Sequence, residues 1–427
     1  MSTNYHEQDY LEALKTRGVM PEGFKAGTAS LSFIPSERPT QEPYRMNMGC
    51  VLLDQPTHSV AGVFTRNAFP GAPVIIGRQR IADAGPVSGL LVNNKIANVS
   101  TKTGVEDARH LSNRLCTAAG LPEHSVFPVS TGIIGWSLPV PDMEEALPQL
   151  TASLQGEQLL PVAQAMMTTD RYPKLRRVPL GDGSLVGLAK GAGMIEPNMG
   201  TMLIFLLTDV AFDRQEGQQV LQQVVDRTFN CISVDGDQST SDMCLLLGSG
   251  CKGRVGRNEL EKALGELCSS LAEDIVRNGE GTSHVIKLTV LGRKSFDEAR
   301  GIGKAVINSP LVKTAIYGND PNVGRILGAA GDYLGNNDLP VDAGKLTITI
   351  GGQTVFDRGS FTLDKKKEAL LADYYTDAAM NPRLKGYPEH DRSVEITLDF
   401  HQGDAKALVL GSDLSNEYVH ENADYRS

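Results

Sequence analysis

The stretch that decides the fold is KGAGMIEPNMGTMLIF, residues 190–205. A loop containing glycine and proline runs into Gly200-Thr201, and an apolar strand follows at once. In one interpretation, Thr201 merely begins this strand, where β-branched residues are favoured. In the other, its hydroxyl attacks the preceding carbonyl and the resulting ester hydrolyses, which leaves Thr201 as a new N-terminus. The α-amine, with an ordinary pKa of about 7.7–8.0, then serves as the base beside the hydroxyl nucleophile.

Composition limits the classes of protein that this chain can represent. The 427 residues contain 41 basic and 51 acidic side chains, a net charge of −10, which disfavours nucleic acid as a partner. The longest apolar run, residues 202–207, is too short for a membrane span, and the first 18 residues lack the pattern of a signal or transit peptide. The six cysteines form no CxxC pair and no His flanks them at metal-ligand spacing, so we expect a reduced, cytoplasmic protein.

Periodicity predicts an α/β or α+β protein with mixed sheets. Residues 1–45 look polar and rich in turns, and residues 50–76 look like short strands. Residues 202–207 predict a strand that is buried on both faces. Capping signals predict helices that begin at three positions, which are Thr103, Asp213 and Ser295. Toward the C-terminus, two apolar alternations and a Gly351-Gly352 turn predict a partly antiparallel sheet.

Several common catalytic motifs are missing from the sequence. The segments at Gly191 and Gly301 lack the third glycine of a dinucleotide fingerprint. No GxxxxGK[ST], HExxH or GxSxG motif occurs, and the eight histidines form no cluster. A threonine that supplies its own base would explain why no conventional catalytic set can be assembled, but the residues alone leave both interpretations of Thr201 open.

These residues also resemble those of a known family. The 190–205 stretch is similar to the KGSGMIAPNMAT segment of the ornithine acetyltransferases, the glutamate N-acetyltransferases of arginine biosynthesis. Other matching blocks are AGVFTRNAFPGAPV (61–74), VSTGIIG (129–135), MTTD (167–170), SVDGDQSTSD (233–242), NGEG (278–281), NSPLVKTAIYGNDPNVGRIL (308–327) and the C-terminal DLSNEYVHENADYRS. The resemblance implies helices around mixed sheets, as in the DmpA and ornithine acetyltransferase fold.

The resemblance further implies self-cleavage between Gly200 and Thr201 into interlocked chains of residues 1–200 and 201–427. Thr201 would then carry acetyl from N-acetylornithine to glutamate in a ping-pong reaction, with acetyl-CoA as a second candidate donor. The implied chemistry needs no metal and no organic cofactor. The implied assembly is a heterotetramer of two α and two β chains. The implied oxyanion hole is formed by Thr131 and Gly132. The implied substrate-binding residues, besides Thr201, are Thr168, Lys190, Glu280, Asn422 and Ser427.

Three departures from the family pattern bear on activity. Gly200 replaces an alanine, Glu196 replaces an apolar residue near the nucleophile, and NNKIANV at 93–99 stands in place of NSGNANA. A charged Glu196 in the site would repel a substrate carboxylate, and the altered 93–99 loop suggests changed specificity. The alternatives are therefore a self-cleaving acyltransferase of other specificity, an amidohydrolase or aminopeptidase of the DmpA type, and an uncleaved binding protein.

Overall fold

Strands and helices alternate along most of the chain in the computed structural model, which describes residues 7–39, 42–196, 202–380 and 392–423. The strands, in chain order, are β1 (Phe24–Phe33), β2 (Tyr44–Thr57), β3 (Val60–Phe64), β4 (Val87–Asn93), β5 (Val126–Ser130), β6 (Lys174–Leu180), β7 (Gly183–Lys190), β8 (Leu203–Thr208), β9 (Ile232–Ser233), β10 (Met243–Gly248), β11 (Val285–Arg293), β12 (Thr347–Ile350), β13 (Gln353–Asp357), β14 (Ser360–Phe361), β15 (Val394–Asp399) and β16 (Ala405–Ser412). The α-helices are α1 (Glu7–Arg17), α2 (Ala72–Asp83), α3 (Gly104–Ala119), α4 (Val140–Ala152), α5 (Leu160–Ala165), α6 (Arg214–Arg227), α7 (Arg257–Arg277), α8 (Phe296–Asn308), α9 (Pro310–Tyr317), α10 (Val323–Asn336), α11 (Lys365–Ala378) and α12 (Asn416–Ala423).

The described strands form three sheets. The first has the order β1-β2-β4-β5, the second β3-β10-β8-β7-β6, and the third β14-β13-β12-β15-β11-β16-β9. All three mix parallel and antiparallel pairs: β4 with β5, β8 with β10, and β11 with β15 are parallel. The predicted C-terminal antiparallel arrangement is confirmed by the pairing of β12 with β13 and with β15.

Strand β8 lies at the centre of the layered part of the fold. Leu203, Phe205 and Leu207 pack between the first and second sheets, in a core that they share with β2, β4 and β5. Ile204 and Leu206 point the other way, into a core formed with α6 and α7. Because successive side chains of a strand alternate between faces, a continuous apolar run is what a strand covered on both sides requires. The predicted doubly buried strand is confirmed, and so is a mixed α/β fold whose sheets lie between helices.

The outer layers complete this arrangement. The face of the first sheet that points away from the second sheet packs against α3 and α4. The third sheet packs against α8, α9, α10 and α11. The helix starts predicted at Asp213 and Ser295 are confirmed, since each side chain accepts backbone N–H bonds from the first turn. Helix α3 also begins as predicted, but the predicted capping box at Thr103 is wrong. The Thr103 hydroxyl donates to the Asp107 carboxylate at 2.7 Å, and no side-chain cap is formed.

Two local predictions are wrong. Residues 1–45 contain α1 and the long strand β1 in place of turns, and α2 begins at Ala72 where strands were expected. In α1, Tyr10 and Leu14 are buried, and the Tyr10 hydroxyl donates to the Pro173 carbonyl at 2.9 Å. Two apolar contacts are enough to fix a short polar helix against the body of the protein, and a periodicity carried by two residues is too weak to read from sequence.

The strands on either side of the predicted cleavage position are direct neighbours. Strands β7 and β8 pair antiparallel, and Lys190 at the end of β7 lies opposite Leu203 at the start of β8. The end of β7 and the start of β8 therefore lie at the same edge of this sheet. This edge is where the candidate site lies.

Candidate active site

A cavity of about 260 Å³ opens at the edge of the second sheet where β7 ends and β8 begins. Its wall combines residues from distant parts of the sequence, and six of them are site residues predicted above. The lining residues are Ala97, Thr131, Gly132, Ile133, Ile134, Thr168, Thr169, Lys190, Gly193, Met194, Ser239, Thr240, Ser241, Glu280 and Asn422. The fold thus brings together Thr131, Gly132, Thr168, Lys190, Glu280 and Asn422. Gly200, Thr201 and Ser427 lie outside the described residues.

Lys190 and Glu280 are the charged residues in this described lining. Lys190 is only 4% exposed, and its ammonium makes no hydrogen bond or ion pair with any residue that the structure describes. Glu280 is 7% exposed and accepts a hydrogen bond from the Asn422 amide at 2.9 Å. A buried charge without a protein partner is costly, so the Lys190 ammonium is available for a ligand anion. Glu280 offers a carboxylate for a ligand cation.

Glu280 also fixes the loop that follows β7. Its backbone N–H donates to the Ala192 carbonyl at 2.9 Å. A Cβ at Gly193 would meet the Glu280 carboxylate, so any larger residue there would displace the carboxylate from its present position. The contact between Glu280 and this loop keeps the carboxylate at the cavity wall.

The turn at Thr131 and Gly132 follows β5 and packs closely on the 93–99 loop. Gly132 has φ +130°, and a Cβ there would lie 2.1 Å from the backbone carbon of Lys95, so the close approach requires glycine. The Thr131 amide already donates to the Asn93 carbonyl at 3.1 Å. An oxyanion donor at Thr131 would therefore be its hydroxyl.

A buried ion pair lies behind this wall. The Asp170 carboxylate accepts from the Lys174 ammonium at 2.6 Å, and both side chains are fully buried. It also accepts the backbone N–H groups of Gly191 at 2.8 Å and Thr168 at 3.2 Å. Burial alone would raise the pKa of Asp170, but the neighbouring ammonium groups of Lys174 and Lys190 lower it to about 2. Asp170 therefore stays ionised and links the Thr168 segment to the loop after β7.

Glu196 does not line the cavity. Its carboxylate pairs with the Lys304 ammonium at 2.9 Å and accepts from the Asn308 amide at 3.0 Å, both on α8. Nearby, the Asp235 carboxylate accepts the N–H groups of Met194 at 2.6 Å and Ile195 at 2.8 Å. The charge that departs from the family pattern is thus neutralised by α8 and anchors the loop. This arrangement differs from both a site-facing and a solvent-facing position.

The 93–99 loop contributes Ala97 alone to the described cavity lining. Lys95 has φ +74°, the left-handed region that favours the glycine usual in the family pattern, and its ammonium lies 5.0 Å from the centre of the Tyr44 ring. Ile96 is fully buried in the core between the first sheet and its helices. Both unusual side chains therefore face away from the cavity, and neither supplies a ligand contact.

Comparison with known proteins shows the family of this chain. The profile of the ArgJ family matches residues 38–427. Arginine biosynthesis bifunctional protein ArgJ 2 of Clostridium acetobutylicum is 35% identical to this chain, over 89% of the chain and 93% of that protein. The chain belongs to the ArgJ family.

Two further relatives of this ArgJ-family chain are a named acetyltransferase and a protein of solved structure. Glutamate N-acetyltransferase Oat2 of Streptomyces clavuligerus is 38% identical and covers 88% of this chain and 92% of that protein. The crystal structure of arginine biosynthesis bifunctional protein argJ from Bacillus halodurans is 31% identical and covers 51% of this chain and 97% of that chain, with a TM-score of 0.45. The family predicted from the sequence is confirmed, and with it the prediction that the chain is an enzyme of that family.

Sequence reasoning missed the hydroxyl-bearing part of the cavity in this ArgJ-family chain. Ser239, Thr240 and Ser241 line it, although SVDGDQSTSD had indicated only family likeness. Thr168 and Thr169 both reach the cavity, so the structure does not single out one of them. The signal that existed was the run of small hydroxyl residues directly before the apolar strand β10.

No cluster of three or more His, Cys, Asp or Glu side chains is placed to hold a metal ion within the residues that the structure describes. In the same part of the chain, every helix is too short or too polar to cross a bilayer.

Proposed function

We propose that this chain is a glutamate N-acetyltransferase that transfers acetyl from N-acetylornithine to glutamate through an acetyl-Thr201 intermediate. The observation that carries this proposal is that Lys190 and Glu280 line the same small cavity. Every α-amino acid substrate presents an α-carboxylate, and ornithine and glutamate also carry an ammonium when their amines are free. One buried cation and one buried carboxylate match that charge pattern.

The proposed chemistry has two half-reactions. The Thr201 hydroxyl attacks the acetyl carbonyl of N-acetylornithine and passes its proton to the α-amine of Thr201, and ornithine leaves with a proton returned from that amine. The glutamate amine then attacks the acetyl ester, and N-acetylglutamate leaves as the Thr201 hydroxyl re-forms. Both tetrahedral intermediates carry an oxyanion, for which the Thr131 hydroxyl and the Gly132 turn are the proposed donors.

The proposal includes self-cleavage at Gly200-Thr201 into chains of residues 1–200 and 201–427. Strand β7 ends the part before the junction and β8 begins the part after it, and the two pair over the full length of β8. The paired strands would hold the two chains together after cleavage. The proposed assembly contains two copies of each chain, and the proposed location is the cytoplasm.

Intact-mass measurement on the purified protein tests the cleavage. We expect two species, the second beginning at Thr201, and a single uncleaved species for Thr201→Ala. A single full-length mass for the unmodified protein refutes the proposed nucleophile and favours a binding protein.

Product analysis tests the reaction. With N-acetylornithine and glutamate, we expect N-acetylglutamate and ornithine in equal amounts. Acetate released without an acceptor points to a hydrolase of the aminopeptidase type instead. Release of CoA from acetyl-CoA and glutamate, measured in the same preparation, decides whether acetyl-CoA is a second donor.

A further inference from the structure

Asp242 is a buried carboxyl group that none of the steps above uses. Its side chain is 1% exposed, and its Oδ1 accepts the backbone N–H of Met202 at 2.5 Å. Strands β8 and β10 run parallel with Met243 opposite Leu203, so Asp242 enters its strand beside Met202. Asp242 thus holds the residue that directly follows the proposed nucleophile.

The other oxygen of Asp242 has no role in the fold of the described residues. Oδ2 is buried and has no hydrogen-bond partner among them. The Thr65 hydroxyl lies near the carboxyl and lowers its pKa, but it donates its proton to the Ser239 carbonyl at 2.7 Å. Burial raises the pKa of Asp242 well above its usual range, and the Lys190 ammonium on β7 opposes that rise. A buried, unpaired carboxyl oxygen in a native fold calls for an explanation, and a cation that arrives later would provide one.

Self-cleavage creates such a cation nearby. Hydrolysis of the Gly200–Thr201 peptide bond consumes one water and yields a carboxylate on Gly200 and an ammonium on Thr201. This nitrogen is separated from the Met202 nitrogen only by the Cα and carbonyl carbon of residue 201. Standard bond lengths therefore keep the two nitrogens within about 3.7 Å of each other.

We propose that Asp242 is the counter-ion of the α-ammonium that cleavage creates at Thr201, and that it positions this amine as the base of acetyl transfer. The inference rests on the proposed function. Asp242 is a positioning residue here, because it acts on the hydroxyl nucleophile through the amine. In the paired state, the carboxylate raises the pKa of the amine, and the ammonium lowers the pKa of Asp242 by the same coupling.

The test is the pH dependence of kcat/KM for N-acetylornithine in Asp242→Asn. Asparagine keeps an oxygen acceptor for the Met202 N–H but carries no charge. We expect the variant to be cleaved. The acidic limb of its pH profile, which reports the pKa of the amine, should lie at least about one pH unit below that of the wild type, because an opposite charge at contact shifts a pKa by about 1–3 units. Asp242→Glu, which restores the charge, should move the limb back. Asp209→Asn is the matched control, because Asp209 is a buried carboxylate just beyond the far end of β8.

Each outcome separates this inference from the function on which it rests. An uncleaved wild-type protein overturns both. If the wild type is cleaved and active, and Asp242→Asn leaves the acidic limb of the pH profile unchanged, only the role of Asp242 is overturned. The same holds if Asp242→Asn folds but is not cleaved, because the charge would then act before the amine exists. If Asp242→Asn does not fold, trace acylation of the wild-type α-amine across pH decides instead. An amine pKa above the ordinary value of about 8.0 supports the pair, and one at or below it overturns the proposal.

Discussion

Replacing Asp170 with asparagine should destabilise the protein more than any ordinary buried polar substitution. Asp170 and Lys174 are fully buried and 2.6 Å apart, so the substitution leaves a buried ammonium without its counter-ion. Breaking a buried ion pair on one side costs about 3–5 kcal/mol. One carboxylamide oxygen also cannot serve the N–H groups of both Gly191 and Thr168, which the carboxylate now accepts.

Urea unfolding, followed through the fluorescence of Trp136, the single tryptophan, measures this cost. The pH dependence provides a second check. Without Asp170, burial and the Lys190 charge depress the folded-state pKa of Lys174 against the opposing charge of Asp274. Below the ordinary lysine value of about 10.4, the unfolded chain therefore binds more protons than the folded one. The variant therefore gains stability with pH relative to the wild type, and the cost at pH 10 should be smaller than at pH 7.

The control is Asp209→Asn, in which a buried carboxylate accepts the Ser184 N–H at 2.6 Å and has no ion pair among the described residues. It should cost only about 1 kcal/mol, the usual contribution of a hydrogen bond. The reasoning is refuted if Asp170→Asn costs no more than this control at pH 7, or if its cost increases with pH.

Three further predictions follow from particular contacts. Gly132→Ala places a Cβ against the Lys95 backbone, so we expect a lower melting temperature. We also expect kcat/KM to fall at least about tenfold, because a small displacement of a catalytic turn costs this much or more. Activity within twofold of wild type contradicts the close-packed turn. Glu196→Gln removes the ion pair with Lys304 but leaves the cavity lining intact. We expect the free energy of unfolding to fall by about 1 kcal/mol and KM to stay unchanged. A large change in KM would place Glu196 in the site. Burial lowers the pKa of Lys313 to about 8 in the folded protein. Between this pH and the ordinary lysine pKa, the unfolded state therefore binds more protons than the folded state. In urea titrations, the wild type should gain up to about 3 kcal/mol relative to Lys313→Met as the pH rises from 8 to 10.5, and a flat difference would be inconsistent with this depressed pKa.

The sequence was informative where structure depends on neighbours in the chain. The apolar run at 202–207 is explained by a strand covered on both faces, and the caps at Asp213 and Ser295 form as predicted. At Thr103, the same local pattern failed because the backbone (φ −115°, ψ 10°) does not adopt the extended conformation in which an N-cap oxygen accepts a first-turn N–H. The order of family motifs was enough to predict the ArgJ family, since many short blocks in one order do not arise by chance.

The sequence by itself determined the family, the mixed α/β class and a set of candidate site residues. Only the tertiary structure decided which of them meet: Lys190 and Glu280 reach one cavity because β7 ends at the same sheet edge where the loop after α7 passes. It also decided that Glu196 pairs with Lys304 and that Asp242 keeps one oxygen unpaired. Local patterns record interactions within a few residues, whereas a charge is satisfied or left unpaired by whatever the packing of sheets and helices brings next to it.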